Sequence, residues 1–121
     1  MTPAQGLFTL LALLLLVGTA SCATGGSPGS TDTPEDALMA LGRAVFTELS
    51  EPRCGACHIL GDAGTTGMIG PDLDELQPDT RRVVTAIRGG VGVMRPQDHL
   101  TDEQVEAVAR YVARTAGRRS R

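Results

Sequence analysis

The sequence predicts an all-α domain behind a short apolar leader. Two segments begin with helix-capping signals and carry apolar residues at spacings of three and four, the period of an α-helix. A shorter segment begins at an aspartate and stops at two glycines. No segment alternates apolar and polar residues as a half-buried strand would. We therefore expect three to four helices in one domain of about 100 residues with a modest core.

The leader predicts export. Leu7 to Val17 is almost unbroken aliphatic sequence of about 11 residues. This is short of the roughly 20 that cross a bilayer, so residues 1–21 are predicted to be a signal peptide. The stretch GTASC resembles the bacterial lipobox, in which the cysteine is acylated and becomes the new N-terminus. Cys22 is the candidate, and the alternative is ordinary cleavage nearby that leaves Cys22 as an unpaired thiol.

Composition divides the rest of the chain into three parts. Residues 23–32 are rich in Gly and Ser and predict a flexible linker. Residues 33–117 form the expected domain, and residues 118–121 form a basic tail. The formal charge of −3 is too mild for nucleic-acid binding, and every positive side chain is an arginine.

The first predicted helix has a clear start. Thr33 is the expected N-cap and Pro34 the first helical residue, and Glu35 and Asp36 suit the positive end of the helix dipole. Pro52 ends the segment. Apolar residues at helical spacing form one stripe that we expect to be buried: Leu38, Leu41, Val45 and Leu49.

The middle of the chain is predicted to be mostly loop. Gly61 to Gly70 is rich in Gly and Thr, and GPDLDEL after it allows one short helical turn. Asp79 then caps a short helix that Gly89 and Gly90 stop. Three residues of this helix share a face: Val83, Val84 and Ile87.

The last helix is the best marked. Thr101 and Gln104 form a capping box, and Leu100 is placed to pack on Val105 as a hydrophobic staple. Its predicted buried stripe is Val105, Val108, Ala109 and Val112.

The stretch RCGACHIL, residues 53–60, contains two cysteines and a histidine that are candidates for binding a cofactor or a metal. The spacing C-x-x-C-H is that of covalent haem attachment, in which Cys54 and Cys57 add to the haem vinyl groups and His58 ligates the iron. A redox pair would need a βαβ setting, a zinc site would need a further ligand such as His99, and a structural disulfide leaves the histidine unexplained. We expect one covalently bound haem c that also serves as part of the core.

At these residues the chain resembles the class I cytochromes c, from about Pro34 to Ala113. In that family a Gly and an aromatic residue on the first helix pack against an aromatic residue on the last, and Gly42, Phe46 and Tyr111 match those positions. The resemblance implies the family's all-α fold around one haem.

The resemblance also selects residues around the haem. Gly70, Pro71 and Leu73 match a G-P-x-L element whose proline carbonyl accepts a hydrogen bond from the ligand histidine, here His58. The family tryptophan near a haem propionate is absent, and three arginines are candidates to replace it: Arg81, Arg82 and Arg88.

Met94 is implied as the sixth iron ligand, because it lies between the short helix and the final helix. The family usually has Met followed by Pro, whereas this chain reads Met94, Arg95, Pro96. Met68 and His99 therefore stay open as alternatives, and Met39 is expected to be a packing residue.

The function implied is that of a lipid-anchored one-electron carrier between membrane redox complexes. The leader and haem c together predict a periplasmic protein or one on the outer face of the cytoplasmic membrane, and we expect a monomer. The sequence shows no paired carboxylates and no base beside an open site, so nothing in it suggests turnover of a substrate. A haem sensor or small peroxidase-like enzyme with an exchangeable sixth ligand remains the alternative, followed by a zinc-binding or structural lipoprotein.

Overall fold

The structure is a computed structural model, and it describes residues 33–118. The predicted signal peptide, Cys22, the linker and residues 119–121 lie outside the described residues. The elements follow in the order α1 (Pro34–Ala44), a π-helical turn (Val45–Leu49), α2 (Cys54–Cys57), β1 (Ile59–Leu60), a 3-10 turn (Gly61–Ala63), β2 (Thr65–Thr66), α3 (Leu73–Leu76), α4 (Thr80–Gly89) and α5 (Asp102–Thr115). Within residues 33–118, no helix combines the length and the apolar composition that a bilayer-spanning segment needs.

Helix α1 begins where the sequence predicts and ends differently. Thr33 and Asp36 form a reciprocal capping box, and Pro34 is the first helical residue. From Val45 the chain forms a π-helical turn, closed by a hydrogen bond of 3.2 Å from Ser50 N–H to Val45 O. Val45, at the start of this turn, is fully buried. The wider turn rotates Leu49, at its end, away from the buried side, and Leu49 is 48% exposed. The prediction that Leu49 belongs to the buried stripe is wrong for this reason.

The capping signals of the later helices are confirmed. The Asp79 side chain accepts from Arg82 N–H at the start of α4, and Gly90 follows that helix with φ 71°. Thr101 and Gln104 form the predicted capping box of α5. Leu100 and the whole predicted stripe of α5 are buried: Val105, Val108, Ala109 and Val112.

A small antiparallel pair interrupts the segment predicted to be loop. In β1 and β2, Ile59 pairs with Thr66 and Leu60 with Thr65. Strands of two residues are too short to show an alternating pattern, which is why the sequence did not reveal them. The Thr65 hydroxyl donates to His58 O at 2.9 Å, so this hairpin fixes the backbone directly after the C-x-x-C-H motif.

The crossing of α1 and α5 is the tightest contact of the fold. A Cβ on Gly42 would lie 2.3 Å from Ala107 O and 2.5 Å from Tyr111 Cβ, so only glycine lets the helices approach this closely. One turn further on, the rings of Phe46 and Tyr111 meet edge to face with centroids 6.3 Å apart. The joint placement expected for Gly42, Phe46 and Tyr111 is confirmed.

A polar network ties this crossing to the loop after the motif. The Tyr111 hydroxyl donates to Asp62 Oδ2 at 2.6 Å, and Arg43 donates to Asp62 O at 2.6 Å. Burial raises the pKa of Tyr111, and the neighbouring Asp62 carboxylate raises it further. The buried Asp74 carboxylate accepts from Gly61 N–H and Gly117 N–H, which joins the same loop to the end of α5.

We expect Gly42→Ala to destabilise the haem-loaded protein by about 1–3 kcal/mol, because the added methyl group meets backbone atoms that cannot rotate away. Denaturant unfolding measures the change. Gly89→Ala is the matched control, since Gly89 is also in a helix and, apart from its chain neighbours and its own helix backbone, nothing lies within 4 Å of where a Cβ would stand. Equal stability of the two variants would contradict a packing role for Gly42.

Candidate functional site

A cleft of about 620 Å³ lies between the helices, and we call it the haem cleft. Its volume is within the range of roughly 300–1,000 Å³ typical of ligand and cofactor pockets. Most of its wall is apolar and comes from the π-helical turn, α3, α4 and α5: Phe46, Leu73, Leu76, Val83, Ala86, Ile87, Val108 and Val112. A flat apolar group would be desolvated by this wall on several sides.

Both thiols of the motif lie at this cleft. Helix α2 is a single turn, and His58 N–H donates to Cys54 O at 3.0 Å to close it. The turn puts Cys54 and Cys57 on the lining of the cleft together with His58. The two thiols are free rather than joined to each other, which argues against the disulfide alternative.

Ser50 holds the first cysteine, and the sequence analysis missed it. Cys54 N–H donates to Ser50 Oγ at 3.1 Å, and the same hydroxyl lies 3.2 Å from Cys54 Sγ. Burial raises the pKa of the Cys54 thiol, and the contact with Ser50 partly opposes that rise. A thioether sulfur carries no proton, so Ser50 would be the donor once the cysteine is alkylated. Ser50 is not the N-cap of this turn, so no capping pattern in the sequence marks it.

His58 is oriented by the loop that follows the hairpin. Its Nδ1 lies 2.9 Å from Pro71 O, so an Nδ1–H tautomer donates to this carbonyl and leaves Nε2 free to ligate a metal. The loop is fixed to α2 because Ile69 N–H and Gly70 N–H both donate to Cys57 O, at 3.1 and 2.8 Å. A Cβ on Gly70 would lie 2.4 Å from His58 Cε1, so glycine is needed where the ring packs on the backbone.

Among the three candidates for a sixth ligand, only Met94 lines the haem cleft. Met94 and Val91 exchange two backbone hydrogen bonds of 2.9 Å, which closes the loop that carries the methionine. Met68 is 85% exposed. His99 instead accepts a hydrogen bond from Glu51 N–H through Nε2 at 3.1 Å. The extra residue between Met94 and Pro96 therefore does not remove Met94 from the cleft.

Comparison with known families agrees with this geometry. The family described as cytochrome c oxidase, cbb3-type, subunit III matches residues 37–112. The chain is a c-type cytochrome of this family. Among solved structures it is similar to the c-type cytochrome SorU from Sinorhizobium meliloti, with 52% sequence identity, a TM-score of 0.67, and coverage of 68% of this chain and 94% of that chain. No curated protein matches the chain.

The cytochrome therefore has the all-α class I fold and carries covalently bound haem c, as the sequence predicts. The residues present fit that group, because the cleft combines an apolar wall with the two thiols of the attachment motif and an oriented imidazole. Within residues 33–118, no group of three or more His, Cys, Asp or Glu side chains is placed to hold a metal ion. The zinc alternative thus has no ligand set in this part of the chain.

Gln97 is a second residue that the sequence analysis missed. Its side chain lines the cleft and is only 6% exposed, and Oε1 has no hydrogen-bond partner. Nε2 donates to Arg95 O at 3.1 Å, and Gln97 N–H donates to Ile87 O at 2.9 Å. An orphaned acceptor in an apolar cleft fits a site completed by a group outside the chain. No local pattern in the sequence marks this glutamine.

The candidate arginines separate into different environments. Arg82 lines the cleft, whereas Arg88 pairs with Asp102 and Arg81 is not part of the lining. Two arginines that the sequence analysis did not select, Arg53 and Arg95, also line the cleft. Arg53 and Arg95 lie in loops, and the sequence alone does not show which loop residues reach the cleft.

We expect Gly70→Ala to weaken the His58–Pro71 contact, because the methyl group displaces the imidazole ring. The variant should lose about 1–3 kcal/mol of stability, and its haem resonances in NMR spectra should shift. Gly64→Asn is a control, since Gly64 also lies in this loop region but has open space around it, and its φ of 68° is one that Asn tolerates. Wild-type stability and unshifted resonances in Gly70→Ala would show that the ring does not need this glycine.

Proposed function

We propose that this cytochrome is a one-electron carrier whose iron is ligated by His58 and Met94. The observation that carries the proposal is that both side chains line the cleft that holds the two thiols, while Met68 and His99 do not. When bound, haem c supplies an iron that alternates between the ferrous and ferric states by one electron. His58 and Met94 would together hold the iron and leave no ligand position for a substrate.

The two candidate ligands contribute differently to electron transfer: His58 through its fixed orientation, and Met94 through its effect on the reduction potential. The Pro71 carbonyl holds the His58 ring in one orientation, with Nε2 free to ligate a metal. The Met94 thioether is a soft, neutral donor that favours ferrous iron, so His/Met ligation raises the reduction potential relative to His/His. Both donors stay in place in either oxidation state only if their loops are fixed.

The loops are fixed by backbone hydrogen bonds rather than by long helices. The His58 side is fastened through Cys57 O, which accepts from the N–H groups of Ile69 and Gly70. The Met94 side is fastened by its pairing with Val91 and by the bond from Gln97 N–H to Ile87 O in α4. A site that rearranges little on a change of charge suits electron transfer better than ligand exchange.

We expect Met94→Ala to lower the reduction potential and to open the iron to carbon monoxide in the reduced protein, because no other methionine among residues 33–118 lines the cleft. Potentiometric titration and visible spectra with and without carbon monoxide measure both effects. Met68→Ala is the matched control, since this methionine is 85% exposed and should leave both properties unchanged. Ready binding of carbon monoxide by the unmodified protein at neutral pH would instead support the sensor or peroxidase-like alternative.

We further propose that the carrier is exported and lipid-anchored through Cys22, and that its partners are membrane redox complexes. The lipobox-like GTASC and the leader before it support this proposal. A linker over residues 23–32 has a root-mean-square reach on the order of 15–20 Å. Such a tether would confine the haem domain to a thin layer at the membrane and raise its effective concentration near partners there.

Cys22→Ser should release the protein into the soluble fraction, because a serine hydroxyl cannot form the thioether through which the lipid is attached to a lipoprotein. Fractionation of cells that express the full chain, followed by haem staining, measures the distribution. Ser27→Ala in the linker is the control and should stay in the membrane fraction. Retention of Cys22→Ser in the membrane would refute the anchor without affecting the carrier function.

A further inference from the structure

We propose that Ser50 is a positioning residue for the covalent attachment of haem at Cys54. Its hydroxyl holds the Cys54 side chain in one orientation before the thioether bond forms, so the folded chain presents this sulfur to a haem vinyl group in advance. The inference goes beyond the proposed function, because it concerns how the haem protein is assembled and holds for any use of the bound haem.

One hydroxyl contacts Cys54 at two points. Cys54 N–H donates to Ser50 Oγ at 3.1 Å, and Cys54 Sγ lies 3.2 Å from the same oxygen. A side chain that is tied to the partner of its own backbone N–H has little freedom to turn about its Cα–Cβ bond. A cysteine without such a contact has three staggered positions available. Since Cys54 lines the haem cleft, the held side chain is part of the wall that the cofactor would contact.

Ser50 is itself held in place. It directly follows the π-helical turn, and its N–H closes that turn by donating to Val45 O at 3.2 Å. Ser50 is only 3% exposed, and Val45 is fully buried. On the other side, Glu51 N–H donates to His99 Nε2 at 3.1 Å, which ties the same segment to the residues before α5. The π-helical turn, a feature often found at functional sites, thus fixes the hydroxyl relative to the core.

The second cysteine of the motif lacks a comparable contact. Both thiols are free, and both cysteines line the haem cleft. Among the side-chain hydrogen bonds of residues 33–118, however, none involves Cys57 Sγ, whereas Cys54 Sγ has Ser50. This asymmetry distinguishes a positioning role from general support of α2, because general support would affect both thioether bonds alike.

The reaction at Cys54 is an addition to a carbon–carbon double bond. The S–H bond breaks, the sulfur bonds one vinyl carbon, and the proton is transferred to the other vinyl carbon, so no electron is gained or lost. The thioether sulfur carries no proton, and the Ser50 hydroxyl then acts as the donor to it. The contact between the two side chains is therefore present before the bond forms and can persist afterwards.

The size of the effect follows from orientation. A free thiol spends about a third of its time in any one of three equally populated staggered positions, so holding the productive one speeds the addition about threefold. Without the hydroxyl, Cys54 N–H would also lose its acceptor, and the loosened start of α2 would extend the effect to about tenfold.

The test uses the full chain without haem, to which ferrous protoporphyrin IX is added in the absence of oxygen. Two single-cysteine backgrounds allow one bond each: Cys57→Ala leaves the bond at Cys54, and Cys54→Ala leaves the bond at Cys57. Attachment is followed as haem that stays on the protein after extraction with acidified organic solvent. Rates are compared at haem concentrations at which the rate no longer rises, so weaker binding of haem does not affect the comparison.

We expect Ser50→Ala to slow attachment about threefold to tenfold in the Cys57→Ala background and to leave it unchanged in the Cys54→Ala background. Thr47→Ala is the matched control, because Thr47 lies in the same π-helical turn and its hydroxyl donates to Arg43 O rather than contacting a cysteine. This control should leave both rates unchanged.

A second measurement uses the haem-loaded full chain from a bacterium competent in cytochrome c maturation. Ser50→Ala should shift the NMR resonances of the thioether bridge at Cys54 by more than those of the bridge at Cys57. The reason is that only the bridge at Cys54 loses a hydrogen-bond donor.

Equal slowing of both bonds by Ser50→Ala would overturn the proposal, because the serine would then only support the fold. So would an unchanged rate at Cys54. A full chain that attaches no haem under these conditions would also overturn it, since the folded protein would then not present its sulfur productively. Equal shifts of the two bridges in the haem-loaded protein would contradict the selective contact with Cys54.

Discussion

The approach of α1 to α5 at Gly42 is the constraint on which the rest of the structure depends. The missing side chain lets Ala107 O and Tyr111 Cβ come within distances that any Cβ would forbid. That closeness brings Phe46 and Tyr111 into edge-to-face contact. Phe46, Val108 and Val112 then form one wall of the haem cleft, so the crossing that stabilises the domain also shapes its site.

The crossing reaches the attachment motif through polar contacts. Tyr111 and Arg43, one from each helix, both bond Asp62 just after β1, and Thr65 bonds the carbonyl of His58. The cleft beside the core is lined largely by apolar side chains that a porphyrin would cover. Burial of a porphyrin adds roughly 25 cal/mol for each Å² of apolar area removed from water. The cofactor is therefore a structural element as well as the redox group.

Local signals predicted most of the fold, and contacts between distant segments account for what they missed. Capping at Thr33, Asp79 and Thr101 could be read from neighbouring residues, and so could the C-x-x-C-H turn. The π-helical turn that exposes Leu49 could not be predicted in this way, because no local sequence pattern distinguishes a π-helical turn from a continuing α-helix. The roles of Ser50 and Gln97 were missed for a related reason. Each is defined by a partner or a cavity that exists only after the chain has folded.

The segment from Gly90 to Gln97 shows how one departure from the family pattern is absorbed. Arg95 stands between Met94 and the proline, and its carbonyl accepts from Gln97 Nε2 while its side chain lies at the cleft. Gly90, with φ 71°, makes room for the loop, since a Cβ there would lie 2.6 Å from Met94 O and 2.9 Å from Pro96 Cδ. The added residue thus leaves the methionine inside the cleft and places a positive charge at its mouth. Arg95 thus anchors the loop through its carbonyl and carries an exposed positive charge at the edge of the cleft.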